Sequence, residues 1–590
     1  MTTTKRQSMQ LALQKVRVGA VRHVPILSWA RSYPAAWLRP DLISAATGWG
    51  LMVPVAIAYA ELAGVPAQVG LYTAFAGLLG YAIFGTSRHL KVTTSSTMAM
   101  MSAAVVAPLA AGDAAAAIVL SAALALIVGI YLVAAGILRL GFISDFLSKS
   151  VITGFVFGLA LNIIVGQLPK VLGVPGSSGN FFQQVGNLLL YLPQANPITT
   201  ALGASAFVFV FVMKRRAPLI PAGLIAIAAG IVIVSVLNLD QLGVAIVGAI
   251  PTGAPTLSFP RAGIFNIPYL AAGALGIVFL AVGESLSTGR AFAARLGYQI
   301  DPDQELLALG AANVSSGMFG GFTVDMSLSN TAAGVEAGGK SQLSSLVTSG
   351  LVLLTVLFLA PLFTNLPQAI LGAIVISSVM GLLDINELKR YLAVRRTDFG
   401  LAMLALFGVL TTDVLTGLAI AVLMSLLMVL YRASRPSIVV VGRVRGEPGA
   451  YSDVARNPDN EQIPGLIIFR LDAPLYFFNS NVAHTQISAR IAATDPPPKG
   501  ILLDIGATND LDVASLDTVG EMVEDFRRQG LEVGFVHMRG GVRDRLHKTP
   551  GMDTIGADHI FMSIEAGVQA YLRRFSAPAS SDDDGAKSQE

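Results

Sequence analysis

From residue 42 to residue 430 the chain is a succession of apolar runs of membrane-spanning length, with charge confined to the gaps and the two ends. A hydrocarbon layer about 30 Å thick takes roughly 20 apolar residues as helix, and many such runs in series mark a polytopic membrane protein. Charged residues are 13% of the 590 residues, against about 25% in a soluble domain. A large soluble protein with an apolar core is therefore excluded. Cysteine is absent, which removes disulfide and thiolate chemistry. The formal charge of +3 sums a basic membrane part and a mixed soluble part, so it does not point to nucleic acid.

Residues 1–40 form a basic segment with Lys5, Arg6, Lys15, Arg17, Arg22, Arg31 and Arg39 and no acid. It lacks an apolar core ending in a small-residue cleavage site, so it is not a secretory signal. A cationic segment beside the first span stays on the cytoplasmic side. The transport part, residues 41–436, begins with a span at 41–60 and a second opening near Tyr72. Further spans fall near 95–110, 114–138, 150–168, 199–213, 218–236, 268–288, 304–319, 328–337, 342–362, 367–383, 398–411 and 415–431. That is fourteen, seven plus seven. Every second loop then carries the bases: Arg88 and Lys91; Arg139 and Lys149; Lys214, Arg215 and Arg216; Arg290 and Arg295; Lys340; Lys389, Arg390, Arg395 and Arg396; Arg432 and Arg435. The intervening loops hold only Lys170 and Arg261. An error of one span would scramble this alternation, so both termini are expected in the cytoplasm.

Two stretches are too polar and glycine-broken to be ordinary spans: Lys91-Val92-Thr93-Thr94-Ser95-Ser96-Thr97-Met98, and residues 320–331 from Gly320-Gly321-Phe322 to Ser327-Leu328-Ser329-Asn330-Thr331. Membranes accept such backbone only where it lines a cavity or is buried in protein. A broken third segment in each half fits an inverted repeat with its binding site between two half-helices. The bland alternative is hydroxyls satisfied by their own turns. Glu284, inside the eighth span, is a functional candidate by default, or else a carboxylate at a helix end paired with Arg290. Asp325, just before the tenth segment, either steadies that helix start or repels anions.

After Pro436 the composition changes. Residues 437–463 are expected to be a linker, a β-rich connector over 437–445 and polar over 446–463, and 464–575 a small α/β domain. Its strands are expected at 466–471, 475–479, 501–505 and 531–536, with a helix at 515–529. The polar, acidic tail 576–590 is expected to be disordered. No phosphate-cradling Gly-x-x-x-x-Gly-Lys-Ser/Thr motif is present, and no motif suggests an enzyme or a bound cofactor.

The chain resembles the sulfate permease family of anion transporters. The resemblance rests on Ala58-Tyr59-Ala60-Glu61-Leu62-Ala63-Gly64 and Val69-Gly70-Leu71-Tyr72, on Phe84-Gly85-Thr86-Ser87-Arg88, and on Gly154-Phe155 through Gly166-Gln167-Leu168. It continues through Asp303-Gln304-Glu305-Leu306, Phe319-Gly320-Gly321, Ala337 to Leu343, Pro361-Leu362-Phe363 and Arg432 to Pro436, and covers nearly the whole chain. Pro474-Leu475-Tyr476-Phe477 and Asp510-Leu511-Asp512 resemble a STAS domain.

That resemblance implies a core domain of segments 1–4 and 8–11, a gate domain of segments 5–7 and 12–14, and an elevator motion of one against the other. It also implies a homodimer in contact with membrane lipid, in a bacterial inner membrane. The anion would lie between Ser95, Ser96 and Thr97 on one side and Ser327, Leu328, Ser329 and Asn330 on the other, at helix N-termini that bind anions. Glu284 would carry a proton, or hold sodium with Thr288, so the substrate ion is coupled to a second one. No other metal site is implied. Two positions depart from the family: Asn330 stands where a base is usual, and Val55 where a glutamine is common. At Asp512-Val513-Ala514-Ser515 the phosphorylatable serine of related regulators is missing, which leaves packing or dimerisation as the role of that stretch. The expected function is secondary active transport of a small inorganic anion, sulfate-type or bicarbonate. The alternatives are a dicarboxylate or nucleobase permease of the same fold, or a membrane-anchored regulatory protein.

Overall fold

The computed structural model describes residues 24–142, 148–176, 179–217, 220–248, 253–260, 266–412, 414–549 and 551–575. The basic residues before position 24, Arg261 and the tail from 576 lie outside them. The chain divides into two compact units, one ending at Leu426 and one beginning at Leu427.

In the first unit each expected span has a helix: α1 (Leu38–Leu62), α2 (Ala67–Phe84), α3 (Ser96–Ala110), α4 (Ala114–Ile137) and α5 (Lys149–Leu172). After α6 (Phe181–Tyr191) come α7 (Pro197–Arg216), α8 (Ala222–Leu237), α9 (Ile267–Arg295), α10 (Pro302–Met318), α11 (Leu328–Glu336) and α12 (Leu343–Leu354). The last of these runs on through a π turn at Thr355–Leu359 and a 3-10 turn at Ala360–Phe363. Then follow α13 (Gln368–Val379), α14 (Ile385–Val394), α15 (Arg396–Thr411) and α16 (Val414–Ala433). The helices α6 and α14 were not anticipated. Both are amphipathic and of half-span length, so a search for apolar runs passes over them. Large apolar side chains such as Val208, Val236, Leu423 and Leu430 stand exposed on the helices, the surface a bilayer covers.

The helices sort into two bundles. Helix α10 lies along α4 and α2, and α12 along α1 and α2. Separately, α15 and α13 lie along α5, and α13 along α7. Segments 1–4 and 8–11 thus pack together, as do 5–7 with 12 and 13, and α1 meets α8 and α13 where the bundles touch. Glycine permits the close crossing of α4 and α10: a Cβ on Gly129 would stand 2.8 Å from the Gly310 carbonyl oxygen.

Two buried carboxylates tie the halves of the first bundle. Glu305 of α10 accepts from the Tyr81 hydroxyl at 2.5 Å, from the Thr86 and Ser87 backbone N–H groups at 2.8 and 2.9 Å, and from the Thr86 hydroxyl. Asp41 of α1 accepts from Tyr33, from the Lys340 and Ser341 N–H groups and from the Ser341 hydroxyl. These contacts explain why the Gly85-Thr86-Ser87 and Gly339-Lys340-Ser341 stretches carry the residues they do. Each loop gives N–H and hydroxyl donors to a carboxylate of the opposite repeat.

The second unit is a six-stranded sheet in the order β4-β3-β5-β6-β7-β8, from β3 (Ile438–Arg443), β4 (Tyr451–Asp453), β5 (Leu466–Leu471), β6 (Gly500–Asp504), β7 (Glu532–Val536) and β8 (Ile560–Phe561). The last four in that order are parallel, and β3 is antiparallel to both its neighbours. The β-rich connector at 437–445 thus carries β3, and the stretch 446–463, expected as polar linker, supplies β4. Alternation along β5 decides the two faces. Ile467, Phe469 and Leu471 pack with α17 (Ser480–Ala492) and α18 (Val513–Arg528), while Leu466 and Ile468 pack with the C-terminal helix Ile564–Phe575.

Residues 475–479 are not the strand expected from their apolar run. The Asn479 side chain accepts the Tyr476 N–H at 2.8 Å, closing a turn that leads into α17. Asp512 caps α18 by accepting the Ser515 N–H at 2.8 Å. Burial pulls the Asp512 carboxyl up, but the Ser515 and Phe477 N–H groups outweigh it and hold it below the usual carboxylate range.

Candidate functional site

The broken segments are hydrogen-bonded to each other. Val92–Thr93 (β1) pairs antiparallel with Asp325–Met326 (β2), Val92 opposite Met326 and Thr93 opposite Asp325. Helix α3 starts at Ser96, three residues after β1, and α11 at Leu328, two after β2. Antiparallel strands that run straight into helices bring the two helix N-termini to one place. Each end has free N–H groups and the positive end of a dipole, equivalent to roughly half an elementary charge.

Side chains from neighbouring helices satisfy the irregular backbone, as a membrane interior demands. Asn313 of α10 accepts the Val324 N–H at 3.0 Å and donates to its carbonyl at 2.9 Å. Thr73 of α2 accepts the Phe322 N–H, and Ser285 of α9 accepts the Met326 N–H. Gly320 has φ +74°, and a Cβ on Gly321 would lie 2.6 Å from the Thr73 hydroxyl. Neither glycine can be replaced without moving the segment.

Ser95 is the N-cap of α3; its oxygen accepts the Met98 N–H at 3.1 Å. The local-turn reading therefore holds for the oxygen, and the hydroxyl lies beside the buried Asp325 carboxyl. Ser96 and Thr97 are buried in the first turn. Ser327 accepts from the Asn330 Nδ2 at 2.9 Å, which leaves Asn330 Oδ1 buried without a partner. Turning that amide over lets the Ser327 hydroxyl donate to Oδ1 and frees Nδ2 for an anion, so the chemistry favours that orientation. Leu328 is 55% exposed and offers only its backbone N–H.

Beside the α11 N-terminus lies a cavity of about 270 Å³. The first bundle lines it with Val55, Ser329, Asn330 and Glu336, the second with Lys214 of α7 and Ser377 and Ser378 of α13. Ser95, Ser96 and Thr97 are not on this wall, although the Tyr59 hydroxyl lies between those of Ser96 and Ser378 and links the two. Glu284 and Thr288 sit one turn apart on α9, both half-buried. Glu284 faces Asp325, whose carboxyl is fully buried and within electrostatic reach of Glu284 and Ser95. Neither Asp325 oxygen makes a hydrogen bond of good geometry among the described residues.

Sequence reasoning singled out the hydroxyl runs and Glu284. It gave no role to Tyr59, Asn313 or Ser377, and counted Lys214 only as a loop charge. Nothing in the spacing of those residues signals the site, since four separate helices bring them there.

Fourteen segments in two bundles, with two half-helices meeting beside a cavity, define an inverted-repeat transporter fold of the membrane. The chain belongs to the sulfate permease family, whose sequence pattern matches residues 38–405. A STAS domain matches residues 457–567. A probable sulfate transporter of Mycobacterium tuberculosis is 35% identical over 92% of this chain and 97% of its own length. Sulfate transporter 1.3 of Arabidopsis thaliana is 30% identical over 94% of this chain and 88% of its own. Among solved structures, SLC26A9 superposes with a TM-score of 0.87 at 23% identity, covering 95% of this chain and 94% of that one. The transmembrane domain of the cyanobacterial bicarbonate transporter BicA superposes with a TM-score of 0.57 at 24% identity, covering 66% and 96%. At those identities the structures speak for the fold.

Proposed function

We propose that the protein is a secondary active transporter of a small inorganic anion of the sulfate type, coupled to a proton or to sodium. The observation that carries this is the cavity at the α11 N-terminus beside Asn330, with the α3 N-terminus held against that half-helix by the β1–β2 pair. An oxyanion there meets the free N–H groups of the α11 start, the Ser329 and Ser377 hydroxyls and the Asn330 amide, with Ser95, Ser96 and Thr97 behind them at the α3 start. These donors complement a sulfate or bicarbonate oxygen without a fixed cation on either half-helix. Curated relatives at 35% and 30% identity are named as sulfate transporters, which supports sulfate as the first substrate to test.

The cavity lies between the two bundles, so a slide of the first bundle past the second would carry the anion from one face to the other. This elevator motion keeps the half-helix pair intact, since the clamps at Asp41 and Glu305 lie wholly within the moving bundle. Glu284, beside the site and facing Asp325, carries the coupling ion; Thr288 one turn on adds an oxygen if that ion is sodium. The cavity reaches Lys214 and Glu336, and by the basic-loop count Lys214 stands at the cytoplasmic end of α7, so we read this state as open to the cytoplasm. The protein works as a homodimer in a bacterial plasma membrane, with the membrane part ending near 436 and the STAS domain on the cytoplasmic side.

Purified protein in liposomes, offered labelled sulfate, bicarbonate, chloride and a dicarboxylate with imposed proton and sodium gradients, tests the reading. Gradient-driven accumulation of one inorganic anion is expected, and Glu284→Gln should abolish the dependence on the gradient. Absence of uptake of every anion, with Glu284→Gln no different from wild type, refutes it.

A further inference from the structure

We propose that Lys214, on the gate bundle, supplies the positive charge that Asn330 does not, and that it selects divalent over monovalent anions. The inference rests on the transport reading above and deepens it. No base stands in the first turn of either half-helix: position 330 is a neutral amide, the buried Lys91 before β1 turns its ammonium end toward Gly48 and Gly334, and Glu284 and Asp325 are close by. Two helix ends amount to about one elementary charge together, too little to hold a dianion against two neighbouring carboxyls.

Lys214 lines the same cavity as Ser329 and Asn330 but comes from the opposite wall. It forms no ion pair and no hydrogen bond among the described residues. Its neighbour Arg215 stacks on the Phe211 ring, 4.3 Å from its centroid, which directs that guanidinium elsewhere. The cavity wall also holds two buried donors without partners, the Asn330 Nδ2 once that amide is turned over and the Ser377 hydroxyl, on residues 2% and 4% exposed. One cation and two unsatisfied polar groups, contributed by both walls, describe a receptor for a small anion that bridges the bundles. Because the cation is on the gate and the helix ends are on the core, sliding the core would pull the anion away from Lys214. Affinity should therefore be higher in the state that opens on Lys214 than in the opposite one.

The chain has no cysteine, so Lys214→Cys is a single reactive site. Full-length wild type, Lys214→Gln, Lys214→Arg and Lys214→Cys are compared in proteoliposomes at about 0.05 M and 0.5 M ionic strength. The readout is the apparent KM for labelled sulfate and for a labelled monovalent anion. Lys214→Gln should raise the sulfate KM at least tenfold at low salt, with the logarithmic effect on the monovalent anion about half as large. High salt should shrink both effects, and Lys214→Arg should stay within threefold of wild type. Modifying Lys214→Cys with an aminoethyl methanethiosulfonate should restore the KM, and the sulfonatoethyl reagent should worsen it. Equal effects of the two reagents, or an unchanged KM in Lys214→Gln, overturn the proposal. So does recovery of Lys214→Glu by Glu336→Lys, which would make the pair a latch between the bundles. Wild type that moves no anion defeats the transport reading itself, independently of the variants.

Discussion

Replacing Glu305 should unfasten the loop that leads to the first half-helix. The side chain is 1% exposed and takes two backbone N–H bonds, from Thr86 and Ser87, with hydroxyl bonds from Tyr81 and Thr86. In Glu305→Ala the hydroxyls can rotate, but the two N–H groups stay buried and unpaired, at about 1–3 kcal/mol each. Removing one partner of a buried charged network costs about 3–5 kcal/mol, so we expect a loss of about 4 kcal/mol. Glu305→Gln retains one carbonyl oxygen for the N–H pair but turns an amide N–H₂ toward a donor, and should cost about half as much. Residue 86 is six positions before β1, so the strain passes to the half-helix start. Detergent-purified variants would be melted and followed by size-exclusion chromatography. A fall in Tm on the order of 5–10 °C is expected for Glu305→Ala, roughly half that for Glu305→Gln, together with a raised KM for the anion. A Tm within 2 °C of wild type in Glu305→Ala would refute the latch.

Three further outcomes follow from the same structure. Ser95→Ala removes the N-cap of α3; at about 1 kcal/mol, anion affinity should fall roughly fivefold, read as KM for uptake. Glu284→Gln should retain anion–anion exchange but lose accumulation against a gradient, and counterflow measured beside net uptake separates the two. In the second unit, the Tyr451 hydroxyl, helped by Gln569 and Arg443, holds the Glu565 carboxyl below its usual range. A depressed carboxyl stabilises the fold above its unfolded pKa, about 4.3, and that contribution is lost as pH falls through the folded value. Hydrogen-exchange protection of β3, β4 and the helix Ile564–Phe575, corrected for intrinsic rates, should be level from pH 7 to 5 and drop below about 4. Glu565→Gln should flatten that drop.

The apolar runs and alternating basic loops were enough to lay out the membrane helices, because a bilayer leaves the backbone so few options. The hydroxyl runs at 95–97 and 327–331 were legible for the same reason: polar, glycine-broken backbone inside a membrane has to be supported or used. In the soluble unit the strand at 466–471 and the helix near 515–528 declared themselves by period. Residues 475–479 did not, since the bond from Tyr476 to Asn479 that makes them a turn leaves no mark on hydropathy. The β-rich run at 437–445 announced β3, but β4 was hidden in a polar stretch, because its pairing depends on a partner elsewhere in the chain.

Sequence alone thus determined which segments cross the membrane and which two are broken, since those properties belong to local composition. Only the tertiary structure decided that the breaks pair as β1 and β2 and that Asp325 faces Glu284 from a buried strand. It alone also placed Lys214, a loop charge by its position in the chain, on the wall of the cavity beside Asn330. Each of these is a contact between helices far apart in sequence, and packing, not composition, selects which side chains meet.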